Sequence, residues 1–286
     1  MNAIGQVFPL RNYDLSATLS SGQAFRWQYQ ADSWAGVIGS RWIRLQASND
    51  SLTVQTAGPV SDWQWLTCYL QLDLDLDSVL STFPNDDAMR SAVAHSRGLR
   101  LLRQDPWECL ASFILSSTKQ IVQIQQIVSV LSARFGDVVE VPPDHSPVNA
   151  FPSALQIATL AEHDLRACKM GFRAPYLLAA ARLVADGKLN LAALESMSLP
   201  EAREQLLTIP GVGRKIADCV LLFAYGFPTA FPVDVWVMKA LRELYFPRRR
   251  PTRQRLERFT ETYFGPHAGY AQQYLFHYMR TRSGKS

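Results

Sequence analysis

The sequence predicts an α+β protein in which an antiparallel β domain precedes a larger helical region. Between residues 19 and 56, apolar residues alternate with polar ones and turn residues separate the runs, as in an antiparallel meander. From residue 98 onward, capping boxes, apolar stripes of helical period and terminal glycines mark a series of helices. We therefore predict a β domain with flanking helices over residues 1–97 and a helical region over residues 98–286.

The meander consists of four short apolar segments, residues 25–29, 34–38, 42–45 and 52–54. Asp-Ser, Gly-Ser and Asn-Asp pairs lie between them, and such pairs are typical of turns. After residue 61 the pattern becomes helical. The acidic segment 72–77 alternates like a strand, but it is short, and we interpret it as a loop or a helix edge.

Helix signals divide the rest of the chain. Residues 105–108 and 198–201 read as capping boxes. An apolar stripe of helical period over residues 121–131 stops at Gly136. Further helices are predicted over residues 154–165, 175–187, 214–226, 235–245, 253–264 and 268–282.

A glycine-rich turn, residues 209–213 (IPGVG), joins two helices in the segment 203–225. Glycines permit the positive φ of a tight turn. The free N–H groups and the positive dipole end of the second helix suit a phosphate. Gly211, Gly213 and Arg214 are therefore candidates for contact with a DNA backbone.

Two ionisable residues accompany this helix-hairpin-helix. Lys215 lies in the first turn of the second helix, and a neutral lysine amine is a nucleophile. The alternative is a surface lysine that contacts phosphate. Asp234 is a lone acid in the Pro-bounded loop 230–236. Such a carboxylate can stabilise a developing positive charge, or it can be the N-cap of the following helix, and both roles are compatible.

Charge is unevenly distributed along the 286 residues. Residues 211–286 contain 13 Lys/Arg and 5 Asp/Glu, a net charge of +8, whereas the remainder carries −4. A basic face favours phosphate-bearing partners, although solvated helices with extra arginines are the alternative. No apolar run is long enough for a membrane span, and no signal peptide is visible. The four cysteines are far apart, which favours a reducing compartment and excludes a disulfide, zinc or iron–sulfur framework.

Three more segments support a family resemblance: residues 21–27 (SGQAFRW), 101–110 (LLRQDPWECL) and 265–272 (GPHAGYAQ). Together with the hairpin they resemble the 8-oxoguanine DNA glycosylases of the helix-hairpin-helix Gly/Pro/Asp superfamily. The resemblance implies an antiparallel β domain packed on two all-helical subdomains, with the active site between the helical parts. It also implies that 8-oxoguanine is flipped out of duplex DNA and removed. The abasic strand is then cleaved by β-elimination through a lysine Schiff base.

Residue roles follow from the same resemblance. Lys215 matches the family's nucleophile and Asp234 its catalytic acid. Four more residues match the lining of the base pocket, with a Gly22 carbonyl that accepts the N7 proton specific to 8-oxoguanine. Cys219 and Phe276 would sandwich the base and Gln272 would read its Watson–Crick edge; ordinary helix or core packing is the alternative for these side chains.

The contacts to the opposite base are where the sequence departs from the family. Phe172 and Arg173 match a wedge pair, usually Tyr-Arg, that enters the gap and reads the orphaned base. Thr118 stands where the family has an Asn, Gln123 where it has a second arginine, and Trp236 where it has a histidine that helps to hold phosphate. We therefore expect relaxed selectivity for the opposite base.

Two alternatives remain at the level of the sequence. One is a glycosylase for another damaged purine, although enzymes for alkylated purines generally lack a lysine at position 215. The other is a non-catalytic helix-hairpin-helix protein that only grips DNA. In every case the expected partner is double-stranded DNA, bound by a monomer inside the cell, in a bacterial cytoplasm and nucleoid or a eukaryotic nucleus. No cofactor is expected, with a monovalent or divalent cation on the hairpin backbone as an open alternative.

Overall fold

A five-stranded antiparallel sheet forms the N-terminal part of the protein. The computed structural model describes residues 4–117, 119–143, 145–248 and 251–284. The strand order is β1-β5-β4-β3-β2, with bounds β1 (Ile4–Pro9), β2 (Gln28–Gln30), β3 (Ser33–Ile38), β4 (Arg41–Ala47) and β5 (Ser51–Thr56). The meander predicted from the sequence is thus confirmed for β2 to β5.

Two features of this sheet differ from the prediction. Strand β1 was not predicted; it is an edge strand whose Val7 is 58% exposed, so it lacks the apolar alternation of a half-buried strand. Of residues 25–29, only Gln28 and Tyr29 lie in the sheet, as part of β2. Phe25 packs into the helical core and Trp27 into the sheet core. The alternating pattern there arises because Phe25 and Trp27 are buried in two different hydrophobic cores, not on one face of a strand.

Helices make up most of the remaining chain. Those near the sheet are α1 (Leu15–Ser20), α2 (Gln64–Leu70), α3 (Leu76–Ser81) and α4 (Asp87–His95). The helical region contains α5 (Pro106–Leu115), α6 (Ile121–Phe135), α7 (Ala154–Ala158), α8 (Glu162–Leu165), α9 (Ala174–Ala185), α10 (Leu199–Leu207), α11 (Arg214–Val220), α12 (Val235–Ala240), α13 (Arg253–Tyr263) and α14 (Ala268–Arg282). The sheet followed by a helical region with a helix-hairpin-helix, α10 and α11, confirms the predicted fold class.

The helix predicted over residues 154–165 is wrong as a single element. It breaks into α7 and α8, because the Asp164 carboxylate accepts a hydrogen bond from the Ala161 N–H (3.1 Å) and starts a new helix there. The segment 72–77 behaves as expected, since α3 begins at Leu76 after its N-cap Asp75. Two short strands, β6 (Val138–Val139) and β7 (Val148–Asn149), lie in the loop after α6.

A buried glutamine joins the sheet part to the helical part. The Gln23 amide donates to the carbonyls of Thr18 and Arg100, each at 2.8 Å, and accepts from the Leu102 N–H at 2.8 Å. Every polar atom of this side chain is thus satisfied, as a buried amide requires. The exact boundary at residues 97 and 98 stays a prediction.

Helix α11 continues into a π-helical turn, Leu221–Tyr225, and ends at Gly226. Gly226 has φ +71°, a backbone conformation that favours glycine. Its open face lies against the Arg103 guanidinium. No helix in the described ranges is long and apolar enough to cross a membrane.

Candidate active site

Lys215 lies at the start of α11 with its amine turned towards the end of α5. Its Nζ donates a hydrogen bond to Ser116 Oγ (3.1 Å) and lies 5.1 Å from the centroid of the Phe113 ring. Ser116 Oγ in turn donates to the Phe113 carbonyl at 2.7 Å. The amine is therefore held at a defined position beside an aromatic face, which an unconstrained surface lysine would not be.

Asp234 is the N-cap of α12, so the capping role expected from the sequence is present. Its Oδ1 accepts from the N–H groups of Trp236 (3.0 Å) and Val237 (2.8 Å). Burial raises the pKa of this carboxyl, while the Val237 N–H and the charge of nearby Lys215 act in the opposite direction. The Asp234 carboxyl is half-buried and lies within electrostatic range of the Lys215 amine, although the two do not form an ion pair within 4.0 Å.

Cys219 lies one helical turn after Lys215 and is buried. Burial raises the pKa of its thiol to about 12, with Lys215 opposing that shift. The thiol is therefore neutral at physiological pH and acts as a small apolar surface beside the amine.

Gly22 and Phe276 come together on the other side of the site. Gly22 has φ +74°, and an added Cβ would lie 2.6 Å from Ile121 Cδ1 and 3.6 Å from Phe276 Cε1. Gln272, one turn before Phe276 on α14, is buried, and its Oε1 has no hydrogen-bond partner among the described residues. A buried acceptor without a partner is costly, so this amide is a candidate for binding a ligand.

Arg280 lies beside Phe276 and also interacts electrostatically with Asp234. Its guanidinium lies 5.8 Å from the Phe276 ring centroid. Burial lowers the pKa of Arg280, and the Asp234 carboxylate opposes that change. The pocket residues on α14 and the Lys215–Asp234 pair thus belong to one neighbourhood. Sequence reasoning missed Ser116, Phe113 and Arg280, because their roles arise from contacts distant in the chain.

The expected wedge lies beside the hairpin turn. Phe172 is 54% exposed, between α8 and α9, and the Arg173 guanidinium lies 4.7 Å from its ring centroid. Arg173 Nη1 also donates to the Gly211 carbonyl (3.4 Å). An exposed aromatic ring is thereby fixed next to the segment expected to contact a DNA backbone.

The hairpin turn has the backbone that its glycines predict. Gly211 has φ +81°, and an added Cβ would lie 2.5 Å from Cγ of Tyr176, whereas nothing lies within 4 Å of a Cβ at Gly213. Gly213 is the N-cap of α11.

The side chain of Arg214 is paired with carboxylates, and its expected contact with a DNA phosphate stays a prediction. Its guanidinium is within 2.8 Å of Glu261, 3.6 Å of Glu257 and 3.7 Å of Asp218. This network ties the start of α11 to α13. Any contact of Arg214 with DNA would have to compete with three carboxylates.

Gln123, which stands where the family has a second arginine, takes part in the cap of α6. Gln123 is exposed, and its Oε1 accepts from the Gln120 N–H (2.9 Å) at the start of α6. Thr118 lies outside the described residues. Trp236 is partly buried, with Lys239 Nζ 5.7 Å from its ring centroid. Within the described ranges, no group of three or more His, Cys, Asp or Glu side chains could hold a metal ion.

Comparison with known proteins places this site in a family. Residues 7–110 match the N-terminal domain of 8-oxoguanine DNA glycosylase, and residues 111–266 match the HhH-GPD superfamily of base excision DNA repair proteins. The chain therefore belongs to the HhH-GPD superfamily and, within it, to the 8-oxoguanine DNA glycosylases. It is an enzyme of the bifunctional DNA glycosylase and lyase class.

Individual relatives agree with this assignment. The chain is 34% identical to a probable N-glycosylase/DNA lyase of Methanothermobacter thermautotrophicus, over 71% of this chain and 70% of the relative. It is 30% identical to the N-glycosylase/DNA lyase OGG1 of Arabidopsis thaliana, over 94% and 79%. A crystal structure of the Clostridium acetobutylicum 8-oxoguanine glycosylase/lyase, bound to duplex DNA with cytosine opposite 8-oxoguanine, superposes with a TM-score of 0.90 at 29% identity. The alignment covers 97% of this chain and 98% of that one.

Proposed function

We propose that this enzyme removes 8-oxoguanine from duplex DNA and then cleaves the abasic strand through a Schiff base on Lys215. The observation that carries the proposal is the position of the Lys215 amine, 3.1 Å from Ser116 Oγ and within electrostatic range of the half-buried Asp234 carboxylate. A nucleophilic amine next to an anion suits the attack on a sugar carbon that becomes positively charged.

In the first step, the lesion leaves the base stack, at a cost of a few kcal/mol. The Lys215 nitrogen bonds to C1′ of the deoxyribose as the glycosidic bond breaks, and the bonding electron pair leaves with the base, which takes up a proton. The Asp234 carboxylate stabilises the positive charge that develops on the sugar. Asp234 Oδ1 accepts both hydrogen bonds of the helix cap. The second carboxylate oxygen, Oδ2, takes no part in these capping bonds.

In the second step, opening of the sugar ring gives an imine between Lys215 and C1′. Loss of a proton from C2′ then allows the C3′–O bond to break, and the 3′ phosphate leaves with the electron pair. Water hydrolyses the imine and restores the lysine. The protein needs only its amine and proton acceptors for this sequence, and we propose that no cofactor takes part.

The base pocket is assigned to Gly22, Cys219, Gln272 and Phe276. Cys219 is neutral and apolar, Phe276 supplies an aromatic face, and Gln272 has the unpartnered amide oxygen. The Gly22 carbonyl would accept the N7 proton of 8-oxoguanine. Guanine has an acceptor at N7, so two acceptors would face each other and guanine would be rejected.

The DNA would lie across the hairpin and the wedge. The Gly211 and Gly213 backbone would contact phosphates, with Arg214 joining only if its carboxylate partners release it. Phe172 would fill the gap left by the flipped base, and Arg173 would contact the opposite base. We propose that the enzyme does this as a monomer, in whichever compartment holds the DNA.

The decisive experiment uses a duplex with one 8-oxoguanine, and matched duplexes with guanine or an alkylated purine at that position. We expect release of free 8-oxoguanine and cleavage of the strand by the wild type and by Lys188→Gln, a lysine paired with Asp186 on the surface. Lys215→Gln should bind the duplex without releasing the base. Release of the alkylated purine alone would make this a glycosylase for another lesion. Binding without any release would make it a non-catalytic DNA-binding protein.

A further inference from the structure

The turn that contains Gly22 is held by side chains on both sides of that residue. Arg280 Nη2 donates to the Ser20 carbonyl (2.7 Å), and Gln273 Nε2 donates to the Ser21 carbonyl (3.0 Å). Gln104 Nε2 donates to the Gln23 carbonyl (2.7 Å). The three carbonyls that flank Gly22 are therefore each fixed by a side chain from a distant part of the chain.

The Gly22 carbonyl differs from its neighbours. Among the described residues it has no protein donor. Gly22 also adopts φ +74° and lies against Phe276 and Ile121. The turn thus presents one acceptor without a protein partner at the pocket, while the adjacent peptide groups are held in place.

Both donors on α14 are well placed to act as rigid supports. Gln273 is 2% exposed and Arg280 is 7% exposed. They lie on the same helix as Gln272 and Phe276, and Arg280 contacts the face of the Phe276 ring. One helix therefore carries two proposed contacts to the base and also fixes the turn that supplies the third.

Burial of the Arg280 side chain costs more folding free energy than burial of an apolar side chain at that position would. Its Nε has no hydrogen-bond partner among the described residues, and within those residues it forms no ion pair within 4.0 Å. A buried cation without a directly paired carboxylate costs stability, and an apolar side chain of similar volume would pack at lower cost. The bond to the Ser20 carbonyl, at the end of α1, is the specific contact that an apolar residue could not make.

We propose that Gln273 and Arg280 are positioning residues that set lesion discrimination by holding the Gly22 carbonyl in place. This inference rests on the proposed function, since it concerns how the 8-oxoguanine pocket is built. Recognition by a single hydrogen bond depends on the direction and position of its acceptor. When the flanking carbonyls lose their donors, the turn can relax and the Gly22 carbonyl can shift. It then no longer distinguishes 8-oxoguanine, which has a hydrogen-bond donor at N7, from guanine, which has an acceptor there.

The test compares Gln273→Leu, Arg280→Met and Arg280→Lys with the wild type. Arg282→Met, at the exposed end of the same helix, is the matched control. Single-turnover rates are measured on duplexes with 8-oxoguanine or guanine opposite cytosine. The same variants are then given a duplex with a preformed abasic site, whose cleavage needs Lys215 but no base in the pocket.

We expect the ratio of the 8-oxoguanine rate to the guanine rate to fall by about tenfold in Gln273→Leu and at least as much in Arg280→Met, which corresponds to one lost hydrogen bond. Arg280→Lys should recover part of that ratio because it retains a donor. Cleavage of the abasic duplex should stay at the wild-type rate in Gln273→Leu and in the Arg282→Met control, whereas the Arg280 variants are judged by the rate ratio alone because Arg280 also interacts with Asp234.

Three results separate the possible failures. An unchanged ratio in folded Gln273→Leu and Arg280→Lys overturns the positioning role, whatever the stability of Arg280→Met. A fall in abasic cleavage in parallel with the ratio in Gln273→Leu also overturns it, since the effect would then be a general loss of structure. A wild type that fails to release 8-oxoguanine contradicts the proposed function itself.

Discussion

At the scale of single residues, Asp234 caps a helix, and we propose that it also has a chemical task. Both cap N–H groups of α12 bond to its Oδ1. Asparagine caps a helix about as well as aspartate does. We therefore predict that Asp234→Asn keeps the fold but lowers the single-turnover rate by about 10²–10³-fold, because the cationic sugar loses its counter-charge. Asp75→Asn, at the cap of α3, should keep both fold and rate. A folded Asp234→Asn with wild-type rate would reduce Asp234 to a cap.

The same carboxyl predicts how the rate depends on pH. Burial raises the pKa of Asp234, and the proposed reaction requires its ionised form. The rate should therefore fall as the pH drops through a value above the ordinary aspartate range of about 3.9. Glu108, in the first turn of α5, is a second acid that could shape the acid limb of the profile, because burial raises its pKa to about 7. A profile that keeps its acid limb in Glu108→Gln and loses it in Asp234→Asn supports the assignment; the reverse pattern contradicts it.

The residues available to read the opposite base also lead to a prediction. Gln123 is uncharged and is used to cap α6, so we expect Arg173 to be the main charged residue that contacts the opposite base. Each good base contact discriminates by about 1–3 kcal/mol. We expect a weaker preference for cytosine opposite the lesion than the family usually shows, and a stronger one in Gln123→Arg. Single-turnover rates on four duplexes that differ only at that base provide the measurement. A strong cytosine preference that survives Arg173→Gln would point to Lys119 or Gln120 instead.

At the scale of secondary-structure elements, the two hairpin glycines differ in what they require. Gly211 needs φ +81° and leaves no room for a Cβ beside Tyr176, whereas Gly213 has φ −100° and open space. Gly211→Ala should therefore lower the free energy of unfolding by about 1–3 kcal/mol. Gly213→Ala should leave stability within about 0.5 kcal/mol and weaken only DNA binding. Urea denaturation of both variants is the check, and equal stability losses would refute the distinction.

How far the sequence predicts an element depends on how local its cause is. The hairpin, the Ser198–Glu201 capping box and the end of α11 at Gly226 follow from neighbouring residues, and these predictions are confirmed. The break between α7 and α8 was not predicted, nor was strand β1. Each depends on context beyond the pattern, a side chain that reaches back to start a helix or an edge position in the sheet.

The residues of the candidate site also differ in whether their roles could be predicted from the local sequence. Lys215, Asp234 and the pocket residues could be named because they stand in motifs with fixed spacing. Ser116 is 99 residues from Lys215, and Gln273 is 252 residues from Ser21. Such contacts exist only once the chain has folded. The pairing of Arg214 with Glu257 and Glu261 could not be predicted from the local sequence either.

At the scale of the whole molecule, the charge excess of the last quarter of the chain predicts how the protein binds DNA. Arg214, Lys239 and Arg253 are paired with carboxylates, so fewer phosphate contacts are expected than there are basic residues. Binding should be largely independent of sequence, with a log–log salt slope of about −0.9 per phosphate contacted. Replacing the exposed Arg258 by Gln should make the slope shallower by about one contact, and Lys188→Gln should not. A nearly flat salt dependence would mean that this face does not meet DNA.

The central claim is that Lys215 forms a covalent intermediate with the DNA. Incubation of the enzyme with an 8-oxoguanine duplex and borohydride tests this directly, because borohydride reduces the imine to a stable amine. We predict a covalent protein–DNA adduct in the wild type and in Lys188→Gln, with the attachment mapped to Lys215 by mass spectrometry. Lys215→Gln should bind the duplex and give no adduct. An adduct on another residue, or undiminished base release and trapping in Lys215→Gln, would contradict the account.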